Sequence, residues 1–201
     1  MLKMENDSKL PMTKKELMEV LKINKPHTIN KLIKQFKELD MMSEDKVELY
    51  GKQHKAFFVN EKYCFRKDVI KKASTKKTAK VFMNNIKELY AEDKIKPADL
   101  GFVYSIVPFV NYHHNLLTAN PYEMDASKDK YLTVSDISEA LGMHSKEVAK
   151  KLSSIKWDGM SVFTRIKRGR DTIIKANPLI VFRQEGYPPA SMYAEFIINK
   201  K

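Results

Sequence analysis

Cysteine is almost missing from this chain. Cys64 is the only one, which excludes a disulfide framework and a Cys-based zinc finger within a single copy. Long apolar runs are missing too, and none approaches the ~20 residues that a membrane span requires. The opening stretch MLKMENDSKLPMTKK lacks the apolar core of a secretory signal, so a cytoplasmic location is expected and a membrane is not an expected partner. A lipid surface would need a basic amphipathic helix with bulky apolar anchors, or a lipidation signal. Acidic residues are few beside basic ones. The counts are 25 Asp and Glu against 37 Lys and Arg, a net charge of +12, with a sequence pI of about 9.5. A surplus of this size favours polyanionic partners, because each neutralised phosphate releases counterions. A Lys-rich surface that only aids solubility would give the same composition. Hydrophobic residues at 43% and charged residues at 31% fit a globular chain with a core.

Catalytic signatures are also lacking. There is no G-x-x-x-x-G-K-[ST] phosphate loop and no G-x-S-x-G elbow. His113 and His114 are adjacent, so on a helix they would point about 100° apart and could not share a metal face. Tyr112 beside them resembles a nicking nucleophile only by residue type. Cys64, between Lys62 and Arg66, reads as a small buried filler rather than an activated thiol. Asp125 and Asp129 read as solvated loop acids. No catalytic residue, metal or cofactor is expected, and the chain is not expected to be an enzyme.

What is there is one pattern written twice. TKKELMEVLKINKPHTINKLIKQFKEL starts at Thr13, and TVSDISEALGMHSKEVAKKLSSI starts at Thr133. Laid over each other without a gap, Thr13 meets Thr133, Leu17 meets Ile137, Leu21 meets Leu141, Ile23 meets Met143 and Leu32 meets Leu152, as in a degenerate repeat. Each copy opens with a capping box, Thr13 with Glu16 and Thr133 with Asp136. Gly142 is suited to close the first helix of the second copy, and Asn24 is its expected substitute in the first. Pro26 fits the first position of a second helix. Ile29, Leu32, Ile33, Phe36 and Leu39 make its apolar stripe, and Val148, Ala149, Leu152 and Ile155 make the corresponding one. Each pair reads as a helix-turn-helix.

A strand-turn-strand pattern follows each pair. Residues 160–166, 167–170 and 171–176 read as strand, basic turn and returning strand, and residues 47–50, 51–54 and 55–59 repeat the scheme. A basic hairpin after a helix-turn-helix is a wing, suited to phosphate or minor-groove contact. Between the copies, residues 66–80 are basic and polar, and read as an exposed linker or as the frayed start of the next helix. Residues 79–91 and 97–110 read as helices, the second nearly apolar all round and kinked or ended by Pro108. Residues 118–130 read as a loop. The expected fold is mainly α with small β-hairpins. Two winged helix-turn-helix domains, residues 1–72 and 76–201, would be joined by a helical and basic segment.

Three stretches carry a resemblance: GFVYSIVPFVNYHHNLL, LTVSDISEALGMHSKEVAKKL and IIKANPLIVFR, where the second wing strand runs into Asn177-Pro178. With them the C-terminal half, from about Val81 to Phe182, resembles the RepL-type winged-helix replication and copy-maintenance proteins of plasmids and phages of Gram-positive bacteria. The layout also resembles MarR-like regulators. The resemblance implies sequence-specific binding of duplex DNA, and leaves replication and transcription regulation both open. A winged-helix module that binds protein is the rival reading, supported by the apolar helix and by the aromatic-rich residues 193–198. Candidate protein partners are a second copy of the chain, as a homodimer, and components of the replication or transcription machinery.

On the DNA-binding reading, amides and hydroxyls are the better base readers, because an amide can pair bidentately with adenine. The candidates are Asn30, Gln35 and Ser145, together with the His27 imidazole. Lys31, Lys34, Lys146, Lys150, Lys151, Arg165, Lys167, Arg168 and Arg170 would position the protein on phosphates. Lys146 opposes the helix dipole at the start of its helix, a cost that contact with DNA would offset.

Overall fold

The computed structural model describes residues 12–49, 51–60, 62–63, 78–91, 95–169 and 171–197. The chain divides into two compact units, Met1–Ala73 and Ser74–Lys201.

In the first unit, strand β1 (Met12–Thr13) leads directly into helix α1 (Lys14–Val20). The Thr13 hydroxyl accepts from the Glu16 N–H at 3.4 Å, and the Glu16 carboxylate accepts from the Thr13 N–H at 2.7 Å. This is the capping box read from the sequence, and it satisfies two amides that the helix itself leaves free. The helix does not close on Asn24. Lys22 takes the left-handed conformation at φ 52°, donating to Glu19 O at 3.1 Å while Ile23 N donates to Met18 O at 2.9 Å. Helix α2 (Pro26–Glu38) follows, with Ile29 and Ile33 buried. They pack with Met12, Leu17, Met42 and Phe57 in the core of this unit. Leu39, placed on the stripe by periodicity, is instead 59% exposed at the helix end. Strands β2 (Met42–Leu49) and β3 (Lys52–Val59) form an antiparallel hairpin, from Met42 opposite Val59 to Leu49 opposite Lys52. β1 joins the far side of β3, giving the order β1-β3-β2.

The second unit opens with β4 (Lys80–Val81), α3 (Met83–Ala91) and α4 (Pro97–Ile106), with a 3₁₀ turn at Val107–Phe109. Helices α5 (Val134–Leu141) and α6 (Ser145–Ser154) come next. Then come β5 (Lys156–Trp157), β6 (Met160–Ser161), β7 (Phe163–Arg168), β8 (Asp171–Ala176), β9 (Val181–Phe182) and the short helix α7 (Ala190–Tyr193). β7 and β8 form a hairpin, and β4 pairs with β9. Extended residues 116–118 take the place on β8 that β1 holds on β3: Leu116 bridges Lys175, and Leu117 N donates to Ile174 O at 2.8 Å. Thr133 and Asp136 cap α5 as Thr13 and Glu16 cap α1, and Gly142 closes it at φ 61°. The core gathers Ile86, Leu89, Phe102, Ile106, Val148, Leu152, Trp157 and Ile174. No helix among the described residues is long and apolar enough to cross a membrane.

The expectation of a mainly α fold is wrong. Among the described residues helix accounts for 43% and strand for 25%, in several small sheets, so the fold is mixed α/β. Three things hid the strands. The hairpin of the first unit has eight-residue arms, yet residues 42–46 read MSEDK, whose charges mask any alternation. Glu44 is accommodated there because Lys37 and Lys55 hold it at 3.0 and 2.8 Å. Residues 80–81, read as the start of a helix, pair instead with β9, and α3 starts at Met83. The single strand expected over 160–166 is broken at Val162 into β6 and β7. Two-residue strands carry too few side chains to show a period.

The gap-free superposition also needs correcting. It holds through the first helix and its closure, where Lys22 matches Gly142. Beyond the turn the buried pair Ile29 and Ile33 corresponds to Val148 and Leu152. Leu152 therefore matches Ile33, not Leu32, because the first turn is one residue longer.

Lys22 bears a strain that Gly142 does not. A non-glycine residue in the left-handed region costs about 1 kcal/mol. Lys22→Gly is expected to stabilise the first unit by about that amount, raising its melting temperature by roughly 4 °C or more. Thermal melts of the two chains check this; equal or lower stability of the variant would mean that the closure is not strained.

Candidate nucleic-acid interface

Burial of Ile29 and Ile33 turns the opposite face of α2 to solvent. His27, Asn30, Lys31, Lys34 and Gln35 are all exposed there, so the five residues selected from the sequence share one face of one helix. Lys34 lies 3.7 Å from Glu38. Both side chains are mostly exposed, and such a pair is weak enough for a phosphate to displace it. On the hairpin beside this helix, Glu44 sits between Lys37 and Lys55. The hydrogen bonds from Lys55 and then Lys37 hold its carboxyl below the usual range. Two lysines of this hairpin region are thus partly neutralised.

In the second unit, burial of Val148 and Leu152 exposes Ser145, Lys146 and Lys150 on α6. Ser145 Oγ donates to Ser138 Oγ at 3.1 Å. Arg165 and Lys167 are exposed on alternate positions of β7, and Arg165 Nη2 donates to Ala149 O on α6 at 3.0 Å. Gly169 turns the hairpin at φ 63°. The side chain of Arg168 and all of Arg170 lie outside the described residues.

Lys151 is placed apart from the other lysines. It is mostly buried, with its Nζ 2.6 Å from the Asp99 carboxylate in the first turn of α4 and 6.0 Å from the Phe102 ring centroid. Burial pushes the Asp99 carboxyl up, but the Lys151 ammonium and, after it, Lys96 together outweigh it and the net direction is down. Lys151 therefore ties α6 to α4 and is not available to phosphate. A depressed carboxyl pKa means that the pair stabilises above the ordinary Asp value of 3.8 and loses that contribution as pH falls through the folded value. Lys151→Met is expected to cost about 1–2 kcal/mol at neutral pH and to flatten the loss of stability on acidification. Melts across the acid range check it, and an unchanged acid profile would show that the pair contributes nothing.

The motifs that carried the resemblance are largely scaffold. Asn111, Asn115 and Asn177 are completely buried. The Asn111 Oδ1 accepts from Leu116 N at 3.0 Å, and its Nδ2 donates to Asp129 at 2.7 Å. Asn115, left-handed at φ 58°, donates to Ala176 O at 3.1 Å and Val181 O at 2.6 Å. Asn177 donates to Ser161 O and accepts from Leu179 N, both at 3.0 Å. Arg183 donates to the carbonyls of Val110 and Pro108 and stacks on Tyr122 at 4.8 Å. Burial pulls its guanidinium pKa down. Sequence reasoning did not single out Asn111, Asn115, Lys175 or Arg183. A polar residue inside an apolar run was the available sign.

Asp129 is thus a partner of Asn111 rather than a solvated acid. His113 Nε2 lies 2.8 Å from Met124 O, and the two adjacent histidine rings are 6.1 Å apart. Among the described residues no group of three or more His, Cys, Asp or Glu is placed to hold a metal ion. Cys64, Arg66 and most of the basic segment 66–80 lie outside the described residues. Comparisons with protein-family models, with curated proteins and with solved structures find no match.

Proposed function

We propose that the chain is a sequence-specific binder of duplex DNA built on two winged helix-turn-helix units. It would act as a replication initiation or copy-maintenance factor of plasmid or phage type, with transcription regulation as the alternative role. The observation that carries the reading is the same juxtaposition in both units. A capped helix, a left-handed closure and a second helix are followed by an antiparallel hairpin, and the second helix buries its apolar side and turns lysines outward. On a chain of net charge +12, two such helices supply what major-groove and phosphate contact require.

The protein-binding reading rested on the apolar helix and the C-terminal aromatics. Much of that hydrophobic surface is spent inside the second unit: Phe102, Val103 and Ile106 on α4 are buried, as is Phe196, while Tyr104 and Ile197 stay exposed. That leaves the charged helix faces as the better-supported surface.

The test is unbiased selection of bound DNA fragments by the full chain, followed by titration of the selected duplex over a salt series. Affinity should fall by two or more orders of magnitude between about 50 and 200 mM salt if some five or six phosphates are contacted. Enrichment of a site within the protein's own gene would favour the replication role, and enrichment of repeats upstream of many genes would favour a regulator. Affinity indifferent to salt, or no enriched sequence, would overturn the proposal.

A further inference from the structure

The two second helices differ in what their outward faces leave free. With Ile29 and Ile33 set on Val148 and Leu152, Asn30 corresponds to Ala149, His27 to Lys146, Lys31 to Lys150 and Lys34 to Ser153. On α6 most of the polar groups able to read a base are already engaged within the unit. Ser145 gives its hydroxyl proton to Ser138, whose own hydroxyl donates to Met143 O. Ser153 Oγ bonds the carbonyls of Ala149 at 3.1 Å and Lys150 at 2.9 Å. Arg165 bends its guanidinium back onto Ala149 O at 3.0 Å. What remains unengaged on its outward face is Lys146 and Lys150, two flexible ammonium groups that act as point charges and recognise phosphate better than a base pattern, together with the single hydroxyl of Ser154 in the last turn, which offers no paired donor and acceptor. On α2, by contrast, the Asn30 amide is exposed and engaged by no group among the described residues. An amide with one donor and one acceptor side by side can pair with both polar atoms of an adenine edge.

We infer that the units divide the labour of recognition. Asn30 on α2 is a specificity-determining residue that reads a base edge in the major groove, and α6 is a sequence-indifferent phosphate clamp acting through Lys146 and Lys150. The inference rests on the duplex-DNA reading above and adds to it which helix carries the sequence information.

The experiment repeats fragment selection and salt-series titration on three full-length proteins: the unaltered chain, Asn30→Ala, and Lys146→Ala with Lys150→Ala. All altered side chains are exposed, and alanine favours helix, so melting curves should superimpose. Asn30→Ala should lose the preference at one base position and weaken the selected site by about tenfold, leaving random duplex and the salt slope nearly unchanged. The double variant should keep the preferred sequence, weaken every duplex by a similar factor and lower the salt slope by about 2. Unchanged base preference in Asn30→Ala, or an altered preferred sequence in the double variant, would overturn the division of labour while leaving DNA binding intact. Absence of duplex binding by the unaltered chain at low salt would overturn the DNA-binding reading and this inference with it.

Discussion

Changing Lys31, Lys34, Lys146 and Lys150 together to glutamate is expected to lower affinity for duplex DNA by at least about a thousandfold near 100 mM salt, because four phosphate contacts become repulsions. The slope of log affinity against log salt should flatten by roughly 3 to 4 in the same titration, since each lost contact removes about 0.9. All four side chains are exposed and none is part of either core. Among the described residues the ion pair lost is the exposed one between Lys34 and Glu38, so the melting temperature should hold within a few degrees. Fluorescence anisotropy with a labelled duplex over a salt series reads both quantities. A variant that binds with the parent's slope would place the nucleic-acid surface elsewhere. Adding Lys151 should deepen the loss little and destabilise the fold, because Lys151 faces Asp99.

The second large effect concerns the scaffold beneath the hairpin of the second unit. Asn115→Ala is expected to destabilise that unit by about 3 kcal/mol. Two buried carbonyls, Ala176 O and Val181 O, lose their donor, and alanine tolerates φ 58° poorly. Asn115 Oδ1 is itself buried without a partner, so removing it returns a small part of the cost. Asn115→Gly separates the two causes, because glycine accepts the backbone conformation but makes no amide bond; it should be about 1 kcal/mol less damaging than alanine. Denaturant unfolding of the three proteins measures both differences. Equal damage from the two substitutions would assign the whole effect to the hydrogen bonds, and a loss under about 1 kcal/mol would mean that the amide does not hold β8 to β9.

Those two expectations rest on residues of different legibility. The lysines of α2 and α6 are readable because helical period and burial of one side leave the other side no choice. Ile29 and Ile33 inward force Asn30, Lys31 and Lys34 outward, and Val148 and Leu152 do the same for Lys146 and Lys150. The capping boxes are readable for a similar reason, since donor and acceptor lie three residues apart on the chain. Asn115 was not readable. Its partners are 61 and 66 residues away, and a neighbouring run of Asn, Tyr and His looks the same whether it faces water or closes a buried turn.

The sequence by itself determined what depends on neighbours within about one helical turn. It settled the start of α1 and α5, the glycine closure of α5, the outward basic faces of the second helices, and a charge of +12. Only the tertiary structure decided the rest. Lys22 is left-handed because the chain must turn there whether or not a glycine is present. Lys151 is removed from the surface because Asp99, 52 residues away, meets it. Residues 80–81 are strand because Val181 and Phe182 offer a free edge. The last two are pairings between distant segments, and a pairing of that kind leaves no period or spacing along the chain.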